Sequence, residues 1–480
     1  MKLLEISTFV IYFTAIIFLA LFTSKKQKSD TSFVLGNRSL NFWLTALSAH
    51  ASDMSSWLFM AYPMLIFTTG LFNIWAAVGL TFCMFLNWQF IAPKVRSATE
   101  KMNNLTMFSY FESRVKDRSG IIKTLSALLS FIFYIIYITS GLVAMGLLVE
   151  SLFGLSYTMG ISIGLLIVVF YVFLGGYTTV AWIDLFQGFF LLGVILYIPI
   201  VLISKIGGFE PIIQAIKMQN LSTSLFPSFN AKTFLEIIFI SLGWGLGYLG
   251  QPHIITKFMG IKNVKDMPKA KWVGISWQAF ALCGATLLGI IGIYIFPNGL
   301  QNPELVSLDL VKATMLPFFA ALILCAILAA TTNVMAAQIL VVASSIGEDF
   351  YKGLLKKTAT HKQTLNASRL SVVFVAIIAY VIAYFKISTI YKLVLYAWSG
   401  LGSSFGPLLL ISLYYRKVNK LSAFMGILTG GITAGIWPLI NTKLVIDVPP
   451  MIPGFILSSI AIYLFSFVKE KPLKGKRIKT

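Results

Sequence analysis

Charge is scarce in this chain. Of 480 residues, 11% are Asp, Glu, Lys or Arg and 58% are hydrophobic, which excludes an ordinary soluble domain of this length. Cysteine and histidine are scarcer still, with three of each. Cys83, Cys283 and Cys325 fall inside apolar runs, where a thiol behaves as a small hydrophobe, and they make neither a disulfide framework nor a metal motif. His50, His253 and His361 stand far apart in sequence, so no metal cluster is expected from them. Nor does any stretch alternate apolar and polar residues over the roughly ten positions of a membrane β-strand.

What the chain has instead is apolar runs of about 20 residues, each long enough for a helix to cross a bilayer. The expected fold class is all-α: a multi-pass membrane protein with about 13 transmembrane helices in one transmembrane domain over 1–480. The spans fall near 5–23, 42–70, 74–92, 122–150, 156–176, 185–204, 233–258, 272–296, 314–345, 367–385, 390–414, 421–440 and 450–468. The first runs straight into SKKQK without a small-residue cleavage pattern, so it is read as a retained helix rather than a signal peptide.

Lysine and arginine outnumber Asp and Glu by 38 to 17, and their placement is lopsided. Residues 24–41, 93–123, 257–271, 346–369, 416–420 and the tail from 469, which are alternate loops of this scheme, hold 30 of the 38. Basic residues collect on the cytoplasmic side of short loops. The N-terminus is therefore expected outside and the C-terminus in the cytoplasm, in a plasma membrane, or the inner membrane of a bacterium. Basic loops facing anionic lipid account for the net charge of +21, so the bilayer is the expected partner and nucleic acid is not.

Two spans are irregular. LSAHASDMSSW at 47–57 places His50, Asp53 and four serines in one, and SLGWGLGYLGQP at 241–252 places four glycines and a proline in another. Backbone at lipid depth unwinds only where protein or a polar cavity covers it, so both are candidate broken helices. With the first span set aside, they open two successive sets of five spans. Five is odd, so the second set enters the membrane with opposite polarity, the mark of an inverted repeat whose sites lie near the midplane. Glycine-rich packing faces in an ordinary bundle are the competing reading.

The stretches VLGNRSLNFWLTALSAHASDMSSW, FLGGYTTVAWIDLFQG at 173–188, GWGLGYLGQPHIITKFM at 243–259 and SSIGEDFYKG at 344–353 together resemble the solute:sodium symporter family, most closely its sodium/proline branch. The resemblance implies a leucine-transporter-like 5+5 inverted-repeat core, over about 42–204 and 233–414. Peripheral helices at 5–23, 421–440 and 450–468 flank it. It also implies a secondary active transporter that imports a small amino acid, foremost L-proline, by alternating access on a sodium gradient, and not an enzyme.

Roles follow residue by residue. Asp53 matches the family aspartate of the second helix, and an intramembrane carboxylate is a functional candidate in its own right. Ser55, Trp57, Tyr137, Trp244, Tyr248 and Pro252 match substrate positions; the last three, four apart, would share one face of a regular helix. Asp184 matches an aspartate on the intracellular ion route, although at the expected cytoplasmic end of the fifth span a solvated carboxylate is the plainer reading. Arg38 and Arg369 match rim arginines, where the positive-inside bias is an equal explanation.

The sodium site departs from the family pattern. Carbonyls of Ala51, Met54 and Ala330 have counterparts, but the two hydroxyl positions read Asn333 and Val334. An asparagine amide oxygen can bind a hard cation and a valine cannot. Sodium is the expected coupling ion; proton coupling with His50 as an added titratable group, and uncoupled passage, are the alternatives. A channel or a transporter-derived sensor completes the alternatives of another class. No second intramembrane carboxylate accompanies Asp53, which argues against an aspartyl protease.

Overall fold

The computed structural model describes residues 2–24, 29–444 and 446–468. The lysines at 25, 26 and 28 and the basic tail from 469, on which part of the orientation argument rests, lie outside them. The described residues form a helical bundle, as the hydropathy demands. In a bilayer each helix satisfies its own backbone hydrogen bonds. Every expected span falls on helix. Among the described residues nine helical stretches are long and apolar enough to cross a membrane, joined by the shorter apolar helices Ser7–Thr23, Tyr157–Phe170 and Met451–Phe465. The count of about thirteen rests on the sequence pattern, because the broken span over 42–69 is not among these.

Both irregular spans are broken. The first runs as helix Phe42–Ser56, a π-turn Trp57–Ala61 and helix Tyr62–Thr69, with Ser55 in a non-helical conformation at φ 49°, ψ −167°. The second runs as helix Ala231–Gly245, a 3-10 turn Leu246–Gly250, an extended Gln251 and helix Pro252–Met259. Pro252 sits in the first turn of that last helix, where its missing N–H costs nothing. Helix Ile390–Tyr414 lies on the glycine turn so closely that a Cβ on Gly247 would stand 2.0 Å from Trp398 Nε1, and one on Gly250 2.5 Å from Gly406 N. Glycine is needed there for close approach.

The unwound backbone finds partners in neighbouring side chains, as it must where water is excluded. Trp398 Nε1 donates to Trp244 O (2.8 Å), Asn87 Nδ2 to Tyr248 O (2.8 Å) and Gln251 Nε2 to Trp398 O (3.1 Å). Glu304, in the 3-10 turn Pro303–Leu305, accepts from the backbone N–H groups of Ile390 (3.2 Å) and Tyr391 (2.9 Å), capping the start of helix Ile390–Tyr414. Burial raises this carboxyl above the usual carboxylate range, and the two amide bonds pull the other way.

Helix Pro317–Ser344 is the central post. It packs against Phe42–Ser56, Tyr157–Ile206, Ile121–Phe153 and Lys2–Ser24. Helices Lys420–Asn441 and Met451–Phe465 pack on each other and on Ile390–Tyr414. One expectation needs correction. Residues 177–184, read as a connection between the fifth and sixth spans, are helical. Helix runs from Tyr157 to Ile206 with a kink at a single residue, Gly176, at φ 60° and ψ −154°. Glycine adopts that conformation without penalty, so the chain needs no loop there.

Candidate functional site

The two breaks face each other across a narrow cavity whose walls include Asp53, Trp57, Tyr137, Trp244, Tyr248 and Trp398. Four of the six expected substrate residues therefore meet in one place, with Asp53 and Met54 beside them. Asp53 is 5% exposed. The Tyr248 hydroxyl donates to Asp53 Oδ2 and accepts from Gln278 Nε2 at 3.2 Å. Aromatic rings form the rest: Trp57 lies 5.0 Å from Trp244 and 4.8 Å from Tyr62, and Tyr248 stands edge-on to Trp398 at 5.2 Å, all between centroids. A carboxylate under an aromatic wall offers a small zwitterion an anchor for its charge and contact area for its apolar part.

Pro252 stands elsewhere, and Ser55 lies behind the wall, within hydrogen-bonding reach of Tyr137. Ser55 Oγ accepts the backbone N–H of Trp57 at 3.1 Å, holding the break itself. Pro252 lines a second cavity, because extended Gln251 takes it off the line of Trp244 and Tyr248. The three do not share one helical face.

His50 turns away from the central cavity. Its Nε2 accepts from Trp88 Nε1 at 3.0 Å, its ring stacks on Trp88, and Gly274 lies so close that a Cβ there would be 2.3 Å from Nε2. The acceptor role of Nε2 places the proton of a neutral ring on Nδ1. Ala51, Met54, Ala330, Asn333 and Val334 are all buried, on the packed pair Phe42–Ser56 and Pro317–Ser344. Both polar atoms of the Asn333 amide lack a hydrogen-bond partner, the state of a side chain left free for a ligand. Thr331 and Thr332 instead donate to Ile327 O and Leu328 O of their own helix, each at 2.9 Å.

Asp184 is the second correction. Because helix continues past the kink at Gly176, this carboxylate lies within helix, fully buried, rather than at a solvated end. Its Oδ2 accepts from Ser48 Oγ at 2.5 Å and pairs with Lys257 Nζ at 2.8 Å. Lys257, counted above among the cytoplasmic loop cations, is 2% exposed. The pair joins both broken spans to helix Tyr157–Ile206. Arg38 donates to Met259 O and Asn104 O, each at 2.8 Å, and Arg369 lies over the Phe173 ring. Lys257, Gln278, Asn87 and Trp398 were not anticipated. Asn87 and Gln278 carry a usable signal, since an amide inside an apolar span needs a buried partner. Among the described residues no three His, Cys, Asp or Glu group as a metal site.

Comparison with known proteins accords with this architecture. The family model "Sodium:solute symporter family" matches residues 33–430. The osmoregulated proline transporter OpuE of Bacillus subtilis is 37% identical over 469 residues, 97% of this chain and 95% of that one. A sodium/proline symporter of Staphylococcus aureus is 38% identical over 477 residues, 96% and 92% of the two chains. Among solved structures, a Na+-coupled sialic acid symporter in a substrate-bound outward-open state superposes with a TM-score of 0.81 at 19% identity, covering 96% of this chain and 97% of that one. MhsT in complex with L-phenylalanine gives 0.56 at 12% identity, over 88% and 97%. The fold is the leucine-transporter-like helical membrane fold, and the chain is a multi-pass membrane protein and not an enzyme. It belongs to the sodium:solute symporter family.

Proposed function

We propose that this chain imports L-proline by alternating access, driven by sodium. The observation that carries the reading is the cavity between the two breaks, with Asp53 on one and Trp244 and Tyr248 on the other. Relatives that bear the name of proline transporters over nearly the whole chain support it. In this reading the repeat units extend over about 42–204 and 233–414, the N-terminus is outside and the C-terminus is cytoplasmic. Asp53 carries the coupling charge and Asp184 lies on the inward ion route. Uptake of labelled proline into proteoliposomes, with sodium, proton and no gradient imposed in turn, tests it; uptake that ignores the sodium gradient overturns the coupling.

Loss of a ring removes contact area on which a pyrrolidine would rest. Burying an aromatic side chain contributes about 1.5–3 kcal/mol and 1.4 kcal/mol is tenfold in affinity. Trp244→Ala and Tyr248→Ala should each raise the half-saturating proline concentration about tenfold or more. An unchanged value in both would remove that face from the substrate site.

A second reading is favoured by one observation, the loss of both sodium-site hydroxyls to Asn333 and Val334. Sodium would then bind weakly through the Asn333 amide oxygen, or protons would replace it. Restoring the hydroxyls in Asn333→Ser/Val334→Thr should lower half-saturating sodium about tenfold, the worth of one good bond to a charged group. Tight sodium dependence in the native protein that the double variant does not improve would show that the missing hydroxyls are irrelevant.

A further inference from the structure

One turn beyond the central cavity along the second broken span lies another, narrow one. Pro252, His253, Thr256 and Lys257 form one wall, and Ser344, at the end of the central post, with Ser345 just beyond it, another. Thr106 also lines it, so it opens toward the face that carries the basic stretches 93–123, 257–271 and 346–369. Two of these lining side chains are buried with no hydrogen-bond partner: His253 at Nε2 and Ser344 at its hydroxyl. Buried polar atoms are almost always satisfied, so two orphans beside one cavity point to a ligand.

The tautomer of His253 identifies what it offers. The Tyr134 hydroxyl accepts the backbone N–H of His253 at 3.0 Å and lies 3.0 Å from His253 Nδ1. The hydroxyl proton has its acceptor in Nδ1, which leaves the proton of the neutral ring on Nε2. The orphaned atom is therefore a donor. With the hydroxyl of Ser344 on the other wall, the cavity presents two donors suited to a carboxylate, while the Lys257 ammonium beside them is already paired with Asp184.

We propose that this inner cavity is a second station for the transported amino acid, where its carboxylate is held by His253 Nε2–H and the Ser344 hydroxyl before release at the basic face. The proposal rests on the transport reading above. Trp244 and Tyr248 line the first cavity, and Pro252 and His253 line the second. A solute leaving the first wall thus meets the second within the same broken span.

The test is half-saturation for proline presented from each face, in membrane vesicles of both orientations. His253→Leu removes the donor and should raise half-saturation from the basic face about tenfold, as loss of a hydrogen bond to a charged group does. It should leave half-saturation from the opposite face within about twofold by the same measure, because His253 is not in the first cavity. His253→Gln, whose amide N–H replaces Nε2–H, should restore the basic-face value, which a role in packing alone would not. Ser344→Ala, a smaller change, should show the same asymmetry at about threefold. Prolinamide, which lacks the carboxylate, should show no dependence on residue 253 from either face. Equal effects at both faces, or equal effects on proline and prolinamide, overturn the inner station while leaving transport intact. Wild-type vesicles that move no proline overturn the transport reading itself, and the station with it.

Discussion

Asp53→Asn should insert and fold yet lose sodium-driven accumulation of proline, with initial uptake down about a hundredfold or more. The amide oxygen of asparagine can still accept from the Tyr248 hydroxyl, so the bond that joins the two breaks survives. What disappears is the charge. Among the described residues no lysine or arginine pairs with Asp53, so its negative charge in the membrane interior must be balanced by a transported cation or proton. An uncompensated buried charge costs about 3–5 kcal/mol, hence the size of the expected loss. Downhill exchange of proline should persist at a reduced rate. Wild-type accumulation in Asp53→Asn would leave the carboxylate a structural role only.

The second large effect is expected on stability. Lys257→Met strands the Asp184 carboxylate, which is 0% exposed and, among the described residues, retains only Ser48 as a hydrogen-bonded partner. Breaking one side of a buried pair is destabilising by about 3–5 kcal/mol, while removing both charges together is often close to neutral. Thermal unfolding in detergent should therefore show Lys257→Met far less stable than the native protein. Asp184→Asn/Lys257→Met should recover most of the difference. Additive single and double variants would mean that the pair does not hold the two broken spans together.

The parts of the molecule that the residues announce are those governed by local composition. Apolar length marked the spans, and the serine-rich and glycine-rich interruptions marked both breaks, because backbone leaves a helix in lipid only where composition favours it. The family resemblance brought Asp53, Trp57, Tyr137, Trp244 and Tyr248 to one cavity. Long-range pairing left no such trace. Lys257 and Asp184 are 73 residues apart, and a lysine just after an apolar run reads as an ordinary loop cation. YTTVAWID at 177–184 reads as a connection because a kink made by one glycine looks the same in sequence as the end of a helix. Trp398 sits in a span already rich in aromatic residues, and only its closeness to Gly247 distinguishes it.

The backbone at Ser55 resembles that at two glycines. Ser55 (φ 49°, ψ −167°), Gly70 (79°, −162°) and Gly176 (60°, −154°) occupy one small region, which is nearly closed to residues with a Cβ and costs them about 1–3 kcal/mol. Glycine at 55 would relieve that cost but remove the hydroxyl that accepts from Trp57. Selection for heat resistance alone would therefore favour glycine at this position, and selection for activity would favour serine. In a saturation library the two screens should rank position 55 in opposite order, a stability–activity trade-off confined to one oxygen atom.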